Sequence, residues 1–193
     1  KNTVKGIICH NKSGFCRYDA KVIIDASGDG DVAEKSGAEY FKGRESDGKM
    51  QPATLMFKVG GVDIERAVLP GSFETLVQTE KGELQALARE KLPHPAGHVL
   101  LYHSTLPGIV TCNMTNVTDI DGTSAEDLTQ AEIVCRKQMP LIVDFLREYV
   151  PGYESCYIIS SASLIGIRET VSLQSCFHDL QVNIGVRVKN NGA

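Results

Sequence analysis

Asp25, Ser27, Asp29 and Asp31 alternate with small residues in the run Asp25-Ala26-Ser27-Gly28-Asp29-Gly30-Asp31. Two chemistries suit that spacing. Ala26, Ser27 and Gly28 are small enough to let another backbone or a ligand come close, and Gly28 and Gly30 can take the positive φ that a sharp strand-to-helix turn often needs. Asp25, Ser27, Asp29 and Gly30 also match the first, third, fifth and sixth positions of a calcium loop. The closing position, however, falls on Ser36 where a glutamate is needed, and a strand precedes the loop instead of a helix. Three further side chains are candidates for substrate contact. Arg44 lies with Glu45, Asp47 and Lys49 around Gly43 and Gly48, a loop that reads either as solvated with local ion pairs or as a source of positive charge over a ligand. Arg168 follows Gly166 in an apolar strand and, always charged, must find an anion or an acidic partner such as Glu169. His103 follows an apolar strand. With His94 and His98 its spacing fits neither H-E-x-x-H nor a zinc finger, so no metal site is expected.

These residues need elements to hold them. Val22, Ile23 and Ile24 form a β-branched run bounded by turn formers and read as a buried strand. Asp31 and Glu34 have the spacing of a capping box, which predicts a short helix from Val32 to about Ser36, stopped by Gly37. Upstream, Val4 to His10 and Phe15 to Tyr18 flank the turn residues Asn11-Lys12-Ser13-Gly14 and make a β-meander. Residues 38–53 are polar and irregular. Thr54 to Val59 is strand-like, with Leu55, Phe57 and Val59 on one face and Met56 on the other. Ser72 can cap a helix toward Gln78. Glu83 to Leu92 carries a helical stripe, and Val99 to Tyr102, Ile109 to Val117 and Tyr157 to Ile159 are extended. The longest helix should run from Ser124 or Ala125 to Tyr149, capped by Thr123 and Glu126 and kinked by Pro140 near Gln138. Beyond Val171, Leu180, Val182, Ile184, Val186 and Val188 alternate with polar residues, a strand signal.

The run Ile24-Asp25-Ala26-Ser27-Gly28-Asp29-Gly30-Asp31 resembles the Ile-Asp-Ala-Thr-Gly-Asp-Gly-Asp segment of a family of bacterial FAD-dependent oxidoreductases, itself similar to the flavin subunit of heterodisulfide reductases. Ser27 keeps the hydroxyl of the usual threonine. The resemblance continues through Gly43-Arg44-Glu45-Ser46-Asp47-Gly48-Lys49-Met50-Gln51-Pro52, Thr54-Leu55-Met56-Phe57 and Gly60-Gly61-Val62-Asp63. It returns at Asp121-Gly122-Thr123, Asp127-Leu128-Thr129, Ala131-Glu132, Val150-Pro151-Gly152 and Ile165-Gly166-Ile167-Arg168-Glu169-Thr170. It implies FAD as cofactor, held by Ala26, Ser27, Gly28, Asp29, Gly30 and Asp31, with Gln51 offering an amide to the ring or to substrate. It also makes Arg44 or Lys49 a positive charge near the flavin N1 or an anionic substrate, and Arg168 a contact to the flavin region or a substrate carboxylate.

The fold class that follows is α+β, an α/β fragment. Part of an FAD-binding dinucleotide fold, with its β-meander and strand-turn-helix, is joined to a mixed-sheet substrate domain with one long helix. The expected division is a partial FAD-binding domain over 1–52, a substrate domain over 53–170 and a divergent strand and tail over 171–193. Composition agrees with a globular chain: 42% of its 193 residues are hydrophobic and 23% charged. A net charge of −4 argues against a general nucleic-acid or anionic-membrane binder. No apolar run approaches the ~20 residues that span a bilayer. Without a signal peptide, the expected location is cytoplasmic. None of Cys9, Cys16, Cys112, Cys135, Cys156 and Cys176 forms a C-x-x-C pair, so scattered reduced thiols are the expectation. Cys9 and Cys16 flank the hairpin turn and could face each other.

Two absences shape the functional reading. No G-x-G-x-x-G follows an opening strand, and a second flavin-contacting segment near the family's C-terminus is missing. Starting at Lys1 within a strand suggests an internal fragment, with the remainder of the FAD domain as its partner. Asp29 and Asp31 repel a pyrophosphate, so their fitting partners are ribityl hydroxyls, backbone amides or each other. The expectation is therefore part of an FAD-dependent oxidoreductase acting on a small-molecule substrate, inactive and weakly FAD-binding alone, with a homo-oligomer as a further assembly. The alternative is a catalytically silent interaction module derived from that family.

Overall fold

The computed structural model describes residues 3–168 and the strand Val171–Leu173. The chain divides into two units, Lys1–Gly48 with Glu169–Ala193, and Lys49–Arg168. The α+β class holds in both.

In the first unit, β1 (Gly6–Asn11) and β2 (Gly14–Asp19) form an antiparallel hairpin in which Ile7 faces Tyr18 and Cys9 faces Cys16. The turn forms as its residues dictate: Asn11 Oδ1 accepts the Ser13 N–H at 2.8 Å, and Gly14 takes φ 93°. The strand expected at Val22–Ile24 does not form. Those residues join no ladder among the described residues. Only Ile23 is buried, while Ile24 is 55% exposed. The helix α1 (Asp31–Lys35) begins one residue early and ends at Gly37 as expected. Gly37 takes φ 82°, its N–H reaches the Glu34 carbonyl at 2.9 Å, and the Ala38 N–H reaches the Ala33 carbonyl at 3.1 Å. That paired closure is what a C-terminal glycine allows. A short strand, β3 (Tyr40–Lys42), follows inside the stretch expected to be irregular.

The second unit opens with β4 (Phe57–Gly60), and Ala53 and Thr54 ahead of it make isolated bridges to Val117 and Gly166. Ser72 caps only a turn: its Oγ accepts the Glu74 N–H at 3.2 Å, and Phe73 and Leu76 stay exposed, so no buried stripe extends it into the expected helix. The chain instead forms the small hairpin β5 (Gln78–Thr79) and β6 (Gly82–Glu83). Glu83 then caps α2 (Leu84–Lys91), its carboxylate accepting the N–H groups of Gln85 and Ala86 at 2.8 and 2.7 Å. β7 (Leu101–His103), β8 (Val110–Cys112), α3 (Ala125–Tyr149) and β9 (Tyr157–Ser161) complete the unit. β7, β8, β4 and β9 line up in that order as one sheet, and all three of its ladders are antiparallel where a mixed sheet was expected. Back in the first unit, β10 (Val171–Leu173) pairs antiparallel with β3. The alternating segment from Leu180 onward and Cys176 lie outside the described residues.

The α3 cap sits one residue later than the spacing of Thr123 and Glu126 suggested. Ser124 Oγ accepts the Asp127 N–H at 3.2 Å, while Thr123 is turned back onto Asp121 Oδ1. α3 is one continuous helix through Pro140, packed on both sides of it by Cys135, Met139, Ile142 and Val143. That packing outweighs the one hydrogen bond the proline removes. Val134 and Leu141 sit exposed on its flank, while Gln138 takes a buried place.

The core lies between the sheet and the helices of this unit: Phe57, Val59, Leu101, Val110 and Cys112 against Leu84, Ala88, Cys135, Ile142 and Leu146. Three buried polar side chains close it, each standing in for a backbone partner. Gln85 bonds both the N–H and C=O of Val99 at 2.9 Å. Thr115 Oγ1 accepts the Leu55 N–H at 2.8 Å and donates to the Leu55 carbonyl at 3.0 Å. Gln138 bonds the N–H and C=O of Asn116, both at 2.8 Å. Gln138→Leu leaves both part-buried Asn116 groups without that partner, and is expected to lower unfolding stability by about 1–3 kcal/mol. Urea unfolding followed by circular dichroism checks it; a shift under about 1 kcal/mol would mean that water replaces the amide.

Candidate functional site

The carboxylate of Asp25 organises the bend. Its Oδ1 accepts the Ser27 N–H at 3.0 Å and the Ser27 hydroxyl at 2.7 Å, and its Oδ2 accepts the Ala33 N–H at 2.9 Å. Ser27 Oγ in turn accepts the Asp31 N–H at 2.9 Å. The residue at the helix cap is Gly30, with φ 69° and no side chain to contribute. Asp25 and Ser27 therefore do the capping that the Asp31 and Glu34 spacing had suggested. The positive φ of Gly28 (92°) and of Gly30 folds the chain back far enough for Asp25 to reach those amides. Partial burial pushes Asp25 up. Hydrogen bonds from the Ser27 hydroxyl and from the amides of Ser27, Ala33 and Val32 outweigh it and hold the carboxyl below its ordinary range.

The outer rim of the bend is open. Ala26, Ser27, Gly28 and Asp31 are exposed, and Asp29 and Gly30 half-exposed. A Cβ added to Gly28 would meet nothing within 4 Å. On the helix side, Lys35 Nζ lies 3.8 Å from Asp31 Oδ1, and a groove of about 500 Å³ runs between Thr3–Ile8 and Asp31, Val32, Lys35 and Ser36.

The remaining candidates are placed as follows. Arg44, in the first unit, clasps Asp47 with two hydrogen bonds, one of 2.9 Å from Nε to Oδ1 and the other from Nη2 to Oδ2. Gln51, His103 and Arg168 belong to the second unit and are exposed. His103 ends β7, opposite Val110. The proposed ion-pair partner of Arg168, Glu169, lies outside the described residues. Lys49, also in the second unit, reaches Asp119 Oδ1 at 3.3 Å, and Asp119 takes φ 57°, unusual for a residue with a side chain. The structure thus gathers Asp25 to Asp31 into one loop and gives Arg44 and Lys49 carboxylate partners of their own.

His98 is half-buried. Burial pushes its pKa down, opposed by the Asn113 carbonyl 3.1 Å from Nε2, and its ring meets Phe73 edge-on. Asp25 is the residue that sequence reasoning undervalued. Its signal was an aspartate closing an apolar run just ahead of a glycine-rich turn. Among the described residues, no group of three or more His, Cys, Asp or Glu side chains could hold a metal ion, and both Asp25 oxygens are engaged with internal donors. No helix among them is long and apolar enough to cross a membrane.

A family model for FAD dependent oxidoreductases matches residues 1–178. The chain belongs to that family. No curated protein and no solved structure matches it. The likeness to heterodisulfide reductase flavin subunits rests on the sequence motifs alone. FAD is the cofactor the family implies for the intact enzyme, and the bend can be weighed against its parts. α1 is only five residues long, and its leading amides already go to Asp25 and Ser27. A pyrophosphate would meet engaged amides and the carboxylates of Asp29 and Asp31. The open space at Gly28 and the exposed Ala26 and Ser27 leave room for close approach at the outer rim.

Proposed function

We propose that this chain supplies one wall of the flavin site and the substrate-binding unit of an enzyme that moves a hydride or electron pair between FAD and a small organic substrate. When bound, FAD supplies the electron-accepting and electron-donating chemistry. Ala26, Ser27 and Gly28 form the approach surface. Asp29 and Asp31 accept hydrogen bonds from ribityl hydroxyls, and the Gln51 amide serves the ring or the substrate. Each unit carries its own candidates: Arg44 in the first, for the flavin N1 or an anionic substrate, and in the second His103, for the substrate, and Arg168, for the flavin region or a substrate carboxylate. Asp25 positions the loop from behind without touching either ligand. The observation that carries this reading is the open bend tied from within by Asp25, in a chain of this family.

Because the α1 amides are already taken, the 193 residues alone are expected to hold FAD weakly and to purify colourless. Stoichiometric yellow FAD on the purified chain would overturn that expectation. Amide NMR tests the loop assignment. Riboflavin, which has the ribityl chain and no phosphate, should shift the resonances of Ser27, Gly28 and Gly30, whereas inorganic pyrophosphate should leave them in place. Shifts from pyrophosphate alone would refute the ribityl assignment.

A further inference from the structure

We propose that Cys9 and Cys16 form a dithiol site that a low-molecular-weight disulfide of the glutathione class oxidises to a cross-strand disulfide. The two cysteines are direct register partners across β1 and β2, and both are free thiols. Directly opposed residues of an antiparallel pair hold their Cβ atoms about 4.5–5.5 Å apart. A disulfide needs about 3.5–4.5 Å. The closing movement is therefore small, and a hairpin whose sheet has two strands among the described residues can make it.

Exposure and local hydrogen bonding set the order of events. Cys9 is exposed and Cys16 half-buried. The Asn11 side-chain N–H points at Cys16 Sγ from 3.5 Å, a donor placed where a thiolate would carry its charge. The Cys9 thiolate attacks one sulfur of the small disulfide, forming a mixed disulfide and expelling one small thiolate. The Cys16 thiolate then attacks the Cys9 sulfur, forming the Cys9–Cys16 bond and expelling the second small thiolate. The two protons from the cysteines end on the two small thiols. Two cysteine thiols are oxidised and one small disulfide is reduced to two thiols.

The protein carries its own controls. Cys112, Cys135 and Cys156 are buried in the second unit, and burial pushes all three thiols up, away from the reactive thiolate. The test is incubation of the folded chain with glutathione disulfide, alkylation of the remaining thiols, and tryptic mass mapping. Trypsin cuts after Lys12, so oxidation should link the peptides Gly6–Lys12 and Ser13–Arg17, the pair weighing two hydrogens less than its parts. Cys112, Cys135 and Cys156 should be recovered unoxidised. In Cys16→Ser the same treatment should stop at the glutathione adduct on Cys9, and dithiothreitol should reverse both products. Separate adducts on Cys9 and Cys16 without the link would overturn the proposal. So would links to Cys176 in place of the pair, or equal oxidation of the buried cysteines.

Discussion

Gly152→Ala is expected to destabilise the second unit by roughly 2–4 kcal/mol. Gly152 follows the end of α3 with φ 87°, a conformation an alanine reaches only with strain. An added Cβ would lie 2.7 Å from the Ala67 Cα, the Ala67 nitrogen and the Asp63 carbonyl oxygen. All three are backbone atoms, so no side chain can swing away to make room. The Gly152 carbonyl also accepts the Asp63 N–H at 2.9 Å, which fixes the two segments against each other. A thermal melt by circular dichroism should show the midpoint falling by about 5–12 °C. Gly28→Ala is the matched control for strain without a clash: its φ is also positive, yet its Cβ would enter open space. Equal losses for the two variants would mean that the contacts at Ala67 and Asp63 give way.

Asp25→Ala is expected to abolish the order of α1 and of the bend before it. Its carboxylate accepts the Ser27 and Ala33 N–H groups and the Ser27 hydroxyl at the distances given above, with the Val32 amide also directed at it. Bonds to a charged acceptor contribute about 1.5–3 kcal/mol each at most, and not additively. A helix of five residues has little stability of its own. Hydrogen exchange should show the Ala33 and Ser27 amides losing protection while those of the second unit keep theirs. In the intact enzyme FAD affinity should fall about tenfold or more. Asp25→Asn keeps one acceptor oxygen and should retain part of both. The pH dependence has a definite sign. Because the folded Asp25 carboxyl titrates below its unfolded value, its contribution is complete above about pH 4 and is lost as the pH falls through the folded value. Protection at Ala33 that persists unchanged in acid, or in Asp25→Ala, would remove Asp25 from this role.

Sequence reasoning reached the elements whose signals are local. The 25 residues of α3 repeat their apolar positions often enough to be read directly, and the Asn11–Gly14 turn and the Gly37 stop carry their own chemistry. It failed where a distant partner decides. Val22–Ile24 has strand residues and, among the described residues, no strand paired with it, while Tyr40–Lys42 has a partner in Val171–Leu173, far along the chain. Gln138 was hidden because a polar residue in an apolar stripe looks like a flaw until Asn116 is seen opposite it. At the candidate site, the glycines and small residues were legible. The inward-facing carboxylate was not, because the same aspartate would look identical in sequence if it pointed at a ligand.

The pairing of Val171–Leu173 with Tyr40–Lys42 has a kinetic consequence. The whole of Lys49–Arg168 intervenes, so this three-residue ladder must overcome the loop-closure entropy of that length of chain before any contact rewards it. Collapse of the intervening unit shortens the tether, so the ladder is expected to pair after that unit has formed. Pulse-labelled hydrogen exchange during refolding checks the order, and protection at Tyr40–Lys42 ahead of the Lys49–Arg168 unit would overturn it.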